Sequence, residues 1–182
     1  MSEIRISDLI IPKYRSLFNN RQYKHIILTS GRAGTKSSYA AIRGDYELVA
    51  GEKSSVVVLR KHHNKLRKDE ATEFFDDGEG EDEILNIEAT FARGNNGGFQ
   101  MIYLYNPPKN PNAPINEWVK KMEKRPDCIH IHTDYRDVPE EWIGKDLIET
   151  AEALKAVDEK QYNWIWLGQC VGIEEIIYYM FK

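Results

Sequence analysis

The sequence has few of the features that mark extracellular or membrane-spanning proteins. Its 182 residues include only two cysteines, Cys128 and Cys170, which are too few for a disulfide framework. We interpret both as buried free thiols in a reducing cytoplasm. No apolar run approaches the roughly 20 residues that span a bilayer. Residues 1–10 mix acids, bases and aliphatics, unlike a signal peptide. We therefore expect no contact with a membrane.

Internal repeats and linkers rich in Pro or Ser are also lacking, which indicates one domain over residues 1–182. Hydrophobic residues make up 41% and charged residues 30%, a balance typical of soluble globular domains. The net charge of −4 neither supports nor excludes nucleic-acid binding, because a local basic face can act within a mildly acidic protein. The basic residues 60–68 and the acidic residues 76–83 are expected to form exposed loops.

Motifs for several chemistries are missing as well: the sequence has no GxGxxG, no hydrolase nucleophile motif and no zinc-module spacing. His130 and His132 alternate across Ile131, so both are expected to face one side of a strand and to pack rather than bind metal. An aromatic group is expected to pack at a core edge rather than stack on bases. It consists of Trp142, Tyr162, Trp164 and Trp166.

Segments with strand and helix patterns alternate along the chain. Apolar runs typical of buried strands occupy residues 24–29, 55–59, 99–105 and 128–132. Helical spacing of apolar residues occupies residues 37–49, a short segment at 84–91 ending near Gly94, and residues 145–157. This alternation predicts an α/β fold with a mostly parallel central sheet flanked by helices.

A candidate phosphate-binding loop, residues 30–37 (SGRAGTKS), lies between the first predicted strand and the first predicted helix. A loop in that place points backbone N–H groups at one spot, and the helix N-terminus adds positive potential. Lys36 would reach the β- and γ-phosphates, and the Ser37 hydroxyl would ligate Mg²⁺.

The loop departs from the standard P-loop pattern, because Ser30 and Thr35 stand where that pattern has glycine. The small residues Gly31, Ala33 and Gly34 would still let the backbone approach a phosphate. The spacing alone leaves an alternative open, an ordinary strand–helix turn with an exposed lysine.

An ordered set of motifs resembles phage terminase large subunits, the ATPases of viral DNA-packaging motors. Residues 30–38 (SGRAGTKSS), with an early arginine and no final glycine, resemble the deviant Walker A motif of that family. The resemblance continues through residues 56–61 (VVVLRK), 69–74 (DEATEF), 99–108 (FQMIYLYNPP), 133–137 (TDYRD) and 162–168 (YNWIWLG). It covers nearly the whole chain and implies a P-loop NTPase fold of the ASCE type.

The resemblance also implies roles for particular residues. ATP phosphates would be bound by Ser30, Gly31, Arg32, Ala33, Gly34, Thr35, Lys36 and Ser37. Ser37 and, through water, Asp69 would hold Mg²⁺. Glu70 would orient and polarise the attacking water. Asn106 would sense the γ-phosphate and couple hydrolysis to movement. Arg32 would act on a phosphate in its own or a neighbouring subunit, and residues 12–18 lie where the family usually packs the adenine.

The function that the resemblance implies is an ATP-hydrolysing motor that drives double-stranded DNA into a capsid, in the host cytoplasm. The expected partners are double-stranded DNA, the portal protein and the terminase small subunit. We expect a ring of subunits on the capsid and a monomer in dilute solution, with Arg93 or Arg136 as candidates for an arginine supplied to the adjacent subunit. Two alternatives stay open: a helicase-like P-loop ATPase, and a catalytically silent module that docks on the portal or small subunit.

Two departures from the family bear on these expectations. Terminase large subunits carry a C-terminal nuclease domain, which is not expected within residues 1–182, so we expect no nuclease activity.

A Walker B carboxylate ends an apolar strand, whereas residues 64–68, before Asp69, contain a single apolar residue. A crossover between parallel strands also needs about a dozen residues. We therefore infer that a segment is missing near residues 61–69, and favour a sequence joined from two pieces over a variant that lost part of its core.

Overall fold

Three parallel strands form the sheet of the computed structural model, which describes residues 5–50, 55–57, 79–93 and 98–172. The strands are β1 (His25–Ser30), β2 (Met101–Tyr105) and β3 (Cys128–Thr133). β1 lies in the middle, in the order β2-β1-β3, and His25 is in register with both Met101 and Cys128. The prediction of an α/β fold with a parallel sheet is confirmed.

Helices pack against the sheet and carry the connections that parallel strands require. They are α1 (Pro12–Phe18), α2 (Lys36–Ala50), α3 (Glu79–Ala92), α4 (Pro114–Met122), α5 (Glu140–Ile143), α6 (Lys145–Val157) and α7 (Glu159–Ile165). Pro12 and Pro114 each begin a helix, where the N–H that proline lacks would have no intrahelical acceptor. In the part of the chain that the structure describes, no helix combines the length and apolarity needed to cross a membrane.

The core lies on both faces of β1, which is buried along its whole length. Ile26 and Leu28 pack with α1 and α2, where the rings of Tyr14 and Tyr39 lie 4.7 Å apart. Ile27 points the other way and packs against α4. Each fully buried aliphatic side chain contributes roughly 1.5–3 kcal/mol, so this central strand anchors both layers. A third cluster joins the last helices: Tyr135, Ala151, Tyr162, Trp166 and Leu167.

Three sequence-based expectations were wrong. Residues 55–57 of the predicted strand 55–59 are exposed and outside any strand, because no described strand pairs with them. Residues 79–83 of the predicted acidic loop form the start of α3, where negative side chains favour a helix N-terminus. Cys128 is buried as expected, but Cys170 is exposed. The basic residues 60–68, and the inferred gap near residues 61–69, lie outside the described residues.

Candidate functional site

Three of the predicted site residues, Ser30, Lys36 and Asn106, meet at one edge of the sheet. Because the three strands run parallel, their carboxyl ends lie together, as in other open α/β sheets that bind ligands there. Lys36 begins α2, and its Nζ donates to Ser30 Oγ at 2.8 Å and to Asn106 Oδ1. Lys36 therefore links the loop after β1 to the first residue after β2.

The loop backbone has a conformation that residues other than glycine rarely adopt. Ala33 and Thr35 have φ of 57° and 58°, in the left-handed region, whereas Gly34 between them does not. Such alternation turns successive N–H groups to one side and forms an anion-binding concavity. Among the described residues, no group accepts a hydrogen bond from the N–H of Ala33, Gly34 or Thr35. The loop thus presents free donors beside the N-terminus of α2.

Thr35 is the most strained of these residues. A β-branched side chain in the left-handed region is a genuine outlier, and the conformation costs about 1–2 kcal/mol. Its buried Oγ1 also has no hydrogen-bond partner among the described residues. Thr35 stands where the standard P-loop pattern has glycine. Thr35 thus has a backbone conformation that favours glycine, at the position where the pattern has glycine.

The two glycines of the loop are required by the packing of the chain itself. A Cβ on Gly31 would lie 2.0 Å from the carbonyl oxygen of Trp166, and one on Gly34 would lie 2.5 Å from Ser30 Cβ. From the sequence, their small size was expected to let the backbone approach a phosphate. In the structure, contacts with Trp166 and Ser30 already require glycine at these two positions. The approach of a phosphate stays a prediction.

A buried hydrogen-bonded group supports the loop from below, and sequence reasoning missed it. Thr133 Oγ1, at the end of β3, donates to the Gly34 carbonyl at 2.8 Å. The Tyr14 hydroxyl lies 2.7 Å from Thr133 Oγ1 and donates more weakly to the same carbonyl at 3.4 Å. Burial raises the pKa of Tyr14 to about 12, so its hydroxyl keeps its proton at neutral pH.

The electrostatics of Lys36 favour an anionic ligand. Burial lowers the pKa of its ammonium from 10.5 to about 8. Its acceptors, Ser30 Oγ and Asn106 Oδ1, are neutral, and no carboxylate of the described residues contacts Nζ. A bound anion would supply the opposite charge that the free site lacks.

A pocket of about 230 Å³ opens beside the loop. It is lined by Leu9, Ile10, Ile11, Tyr14, Thr35, Ser38, Tyr39 and Trp142. Of the predicted adenine-packing segment, residues 12–18, only Tyr14 lines this pocket. Trp142 was expected at a core edge, but 43% of it is exposed here, whereas Tyr162 and Trp166 pack in the core as expected.

Four other predicted site residues are either exposed at the loop or outside the described part of the chain. Asp69 and Glu70 lie outside the described residues. Ser37 is exposed in the first turn of α2, and the Arg32 side chain is exposed while its N–H donates to the Ile165 carbonyl at 2.9 Å.

The two candidate arginines for an adjacent subunit differ in availability. Arg93 is exposed just after α3. Arg136 makes a two-point ion pair with Asp134, with Nε and Nη2 donating at 2.8 and 2.6 Å. That pairing occupies its guanidinium within a single chain.

The expected shared face of His130 and His132 is confirmed. Thr29 Oγ1 lies 2.7 Å from His130 Nε2 and 2.9 Å from His132 Nδ1. His132 Nε2 donates to the Leu167 carbonyl at 2.7 Å, and His130 Nδ1 lies 2.6 Å from a Glu123 carboxylate oxygen. These contacts occupy all four ring nitrogens and tie the end of β1 to β3.

Comparison with known protein families adds a direct result. The family model described as phage terminase large subunit matches residues 69–169, more than half of the 182 residues. The match includes β2, β3 and Asn106, and it begins after the loop at residues 30–37. No curated protein matches the chain. The chain therefore belongs to the phage terminase large subunit family, and its role lies in phage DNA packaging.

Proposed function

We propose that this chain binds Mg²⁺-ATP at residues 30–37 and hydrolyses it to drive double-stranded DNA into a capsid. The observation that carries the proposal is the placement of Lys36. Its partly buried ammonium lies between the loop after β1 and Asn106 after β2, beside free backbone N–H groups. In an ordinary strand–helix turn with an exposed lysine, the ammonium would not be partly buried and would not contact the residue after β2.

The topology supports assignment of the fold to the P-loop NTPases. The loop follows the central strand, leads directly into α2 and lies at the carboxyl edge of a parallel sheet. In that geometry the helix N-terminus and the loop N–H groups point at the same anion. The left-handed Thr35, at the position of a P-loop glycine, supports the same assignment.

Mg²⁺ fits the oxygen donors that the chain offers, since this ion prefers hydroxyl, carboxylate and water ligands. Ser37 would hold it directly and Asp69 through water. When bound, the ion neutralises charge that develops on the β- and γ-phosphates. Glu70 would orient and polarise the attacking water, and Arg32, exposed at the loop, would contact a phosphate of its own or a neighbouring subunit.

The pocket beside the loop is the proposed place of the adenine. Tyr14 and Tyr39 line the pocket but are buried in the core, whereas Trp142 is 43% exposed and offers ring surface in the same pocket as Thr35. Stacking of a base on one aromatic side chain contributes about 1–3 kcal/mol. The pocket and the loop together have the two parts, one aromatic and one rich in N–H donors, that a nucleoside triphosphate needs.

The link from phosphate to movement follows from the donors of Lys36. An ammonium has three N–H groups, and Ser30 and Asn106 accept two of them. A γ-phosphate is the stronger acceptor, because its charge roughly doubles the strength of such a bond. The γ-phosphate would bind the remaining N–H and, as the stronger acceptor, draw Lys36 towards itself and away from Asn106. The end of β2 would then respond to whether that phosphate is present.

The test is nucleotide binding by the Lys36→Ala variant. We expect Mg²⁺-ATP binding to be lost in calorimetry while circular dichroism shows an intact fold. Lys120→Ala, which removes an exposed lysine from α4, is the matched control and is expected to bind like the parent. Equal affinity of the parent and the folded Lys36→Ala variant would refute the proposed site.

The setting of this activity is proposed from the family. The chain would act in the host cytoplasm, as a ring of subunits with the portal protein, the small subunit and double-stranded DNA. A chain that binds ATP without any turnover on this assembly would instead be a silent docking module.

A further inference from the structure

We propose that Trp164 is a positioning residue, which holds Asn106 against Lys36 without touching the nucleotide. The inference rests on the proposed function, since Asn106 is taken there to respond to the γ-phosphate. Trp164 is the first residue of a short segment, residues 164–168, which we call the bridge. The bridge runs from the end of α7 and contacts both the phosphate loop and the loop that carries Asn106.

On one side the bridge is fixed to the phosphate loop. The N–H of Arg32, in the loop, donates to the Ile165 carbonyl at 2.9 Å. His132 Nε2, on the neighbouring strand β3, donates to the Leu167 carbonyl at 2.7 Å. The backbones of Gly31 and Gly168 are in direct contact, since a Cβ on Gly168 would lie 2.5 Å from the Gly31 nitrogen. The bridge therefore cannot shift without moving the phosphate loop.

On the other side the bridge is fixed to the segment that follows β2. Trp164 Nε1 donates to the Pro107 carbonyl at 3.0 Å. Lys109 Nζ lies 4.4 Å from the centroid of the Trp164 ring, within range of a cation–π interaction, and donates to Gln161 Oε1 at 3.0 Å. Three contacts from α7 thus hold the residues on either side of Pro108.

The sequence of this segment explains why it needs such an anchor. Pro107 and Pro108 have no backbone N–H, so β2 cannot extend its ladder beyond Asn106. Asn106 itself is exposed. In the chain after Asn106, the Pro107 carbonyl is the first backbone group that accepts a hydrogen bond from a side chain, and the donor is the Trp164 indole. The indole N–H consequently fixes the distance between Asn106 and Lys36.

The variant that isolates this contact is Trp164→Phe. Phenylalanine keeps an aromatic ring beneath Lys109 and loses the indole N–H. If the N–H positions Asn106, kcat for ATP falls about tenfold, the effect of one lost hydrogen bond, while KM changes less than about twofold. Trp118→Phe, in the core cluster with Ile27, is the matched control. It is expected to lower the melting temperature and leave kcat unchanged.

A second measurement does not depend on activity. The side-chain amide resonances of Asn106, recorded on the nucleotide-free protein, should shift in Trp164→Phe and stay in place in Trp118→Phe. A parental kcat in folded Trp164→Phe, or an unmoved Asn106 amide, would overturn the proposal. Equal losses of kcat in both variants would also overturn it, as the sign of general destabilisation. If the parent neither binds nor hydrolyses ATP, the proposed function fails, and the Asn106 amide still decides whether Trp164 positions that residue.

Discussion

Raising the pH should weaken ATP binding, because Lys36 loses its charge in the free protein earlier than an ordinary lysine. Burial lowers its pKa to about 8, and its described hydrogen-bond acceptors are the neutral oxygens of Ser30 and Asn106. Below that pKa the ammonium is already present for the phosphates. Above it, binding must first return a proton to the neutral amine.

The size of the effect follows from this linkage. Phosphate charges raise the pKa of Lys36 in the complex, so the bound form keeps its proton across the range tested. With a free pKa of about 8, affinity falls about tenfold between about pH 7 and about pH 9, equivalent to about 1.4 kcal/mol. The nucleotide contributes little, because a phosphate with a second pKa of about 6 is already ionised over this range.

Calorimetry in two buffers of different ionisation enthalpy measures both affinity and proton uptake. We expect uptake of about half a proton at about pH 8 and nearly one at about pH 9. Lys36→Arg is the control, because a guanidinium stays charged throughout, and whatever affinity it retains should not depend on pH. Equal affinities across the range with no proton uptake would refute the view that burial of Lys36 sets its charge.

Three further predictions concern turnover, strain and assembly. Glu70→Gln should retain ATP binding but slow steady-state hydrolysis by about 10²-fold or more, and a parental rate would show that Glu70 is a surface carboxylate. Thr35→Gly should stabilise the nucleotide-free chain by about 1 kcal/mol in thermal melts by relieving a left-handed threonine, whereas Ala40→Gly within α2 should destabilise it by a similar amount. The chain should be a monomer by light scattering with slow hydrolysis that rises about 10³-fold or more on assembly with portal and DNA, since a neighbouring arginine completes related sites. A fast rate that does not depend on concentration, from a proven monomer, would contradict that view.

The regular elements were largely predictable because each has a local signal. The helix at residues 145–157 was predicted with its observed bounds, as strong helical spacing lies between Gly144 and Asp158. The central strand was predictable from one apolar run followed by a loop. The run at residues 55–59 has the same composition, yet its described part forms no strand. Composition predicts that a segment has a high β-propensity. Whether it forms a strand depends on a partner strand elsewhere in the chain, which the segment's own sequence does not reveal.

In the site, too, residues with a local sequence motif were predictable and long-range contacts were not. Lys36 and Asn106 were identified from motifs, and the structure brings their side chains together. The support of the loop by Tyr14 and Thr133 was not foreseen, and neither was the anchoring of Pro107 by Trp164. These contacts join residues far apart in the chain and involve residue types that are equally common in cores. Only the register of the sheet and the packing of α7 bring them together.

Charge, rather than the number of hydrogen bonds, must set the strength of the proposed coupling between phosphate and strand. When a γ-phosphate replaces Asn106 on Lys36, one acceptor is exchanged for another, so the count of bonds to the ammonium is conserved. The difference lies in the charge of the new acceptor, and it disappears when Lys36 is neutral. The protonation state that governs affinity therefore also governs whether Asn106 is released. Above about pH 8 the chain should lose binding and coupling together, whereas Trp164→Phe should impair coupling alone.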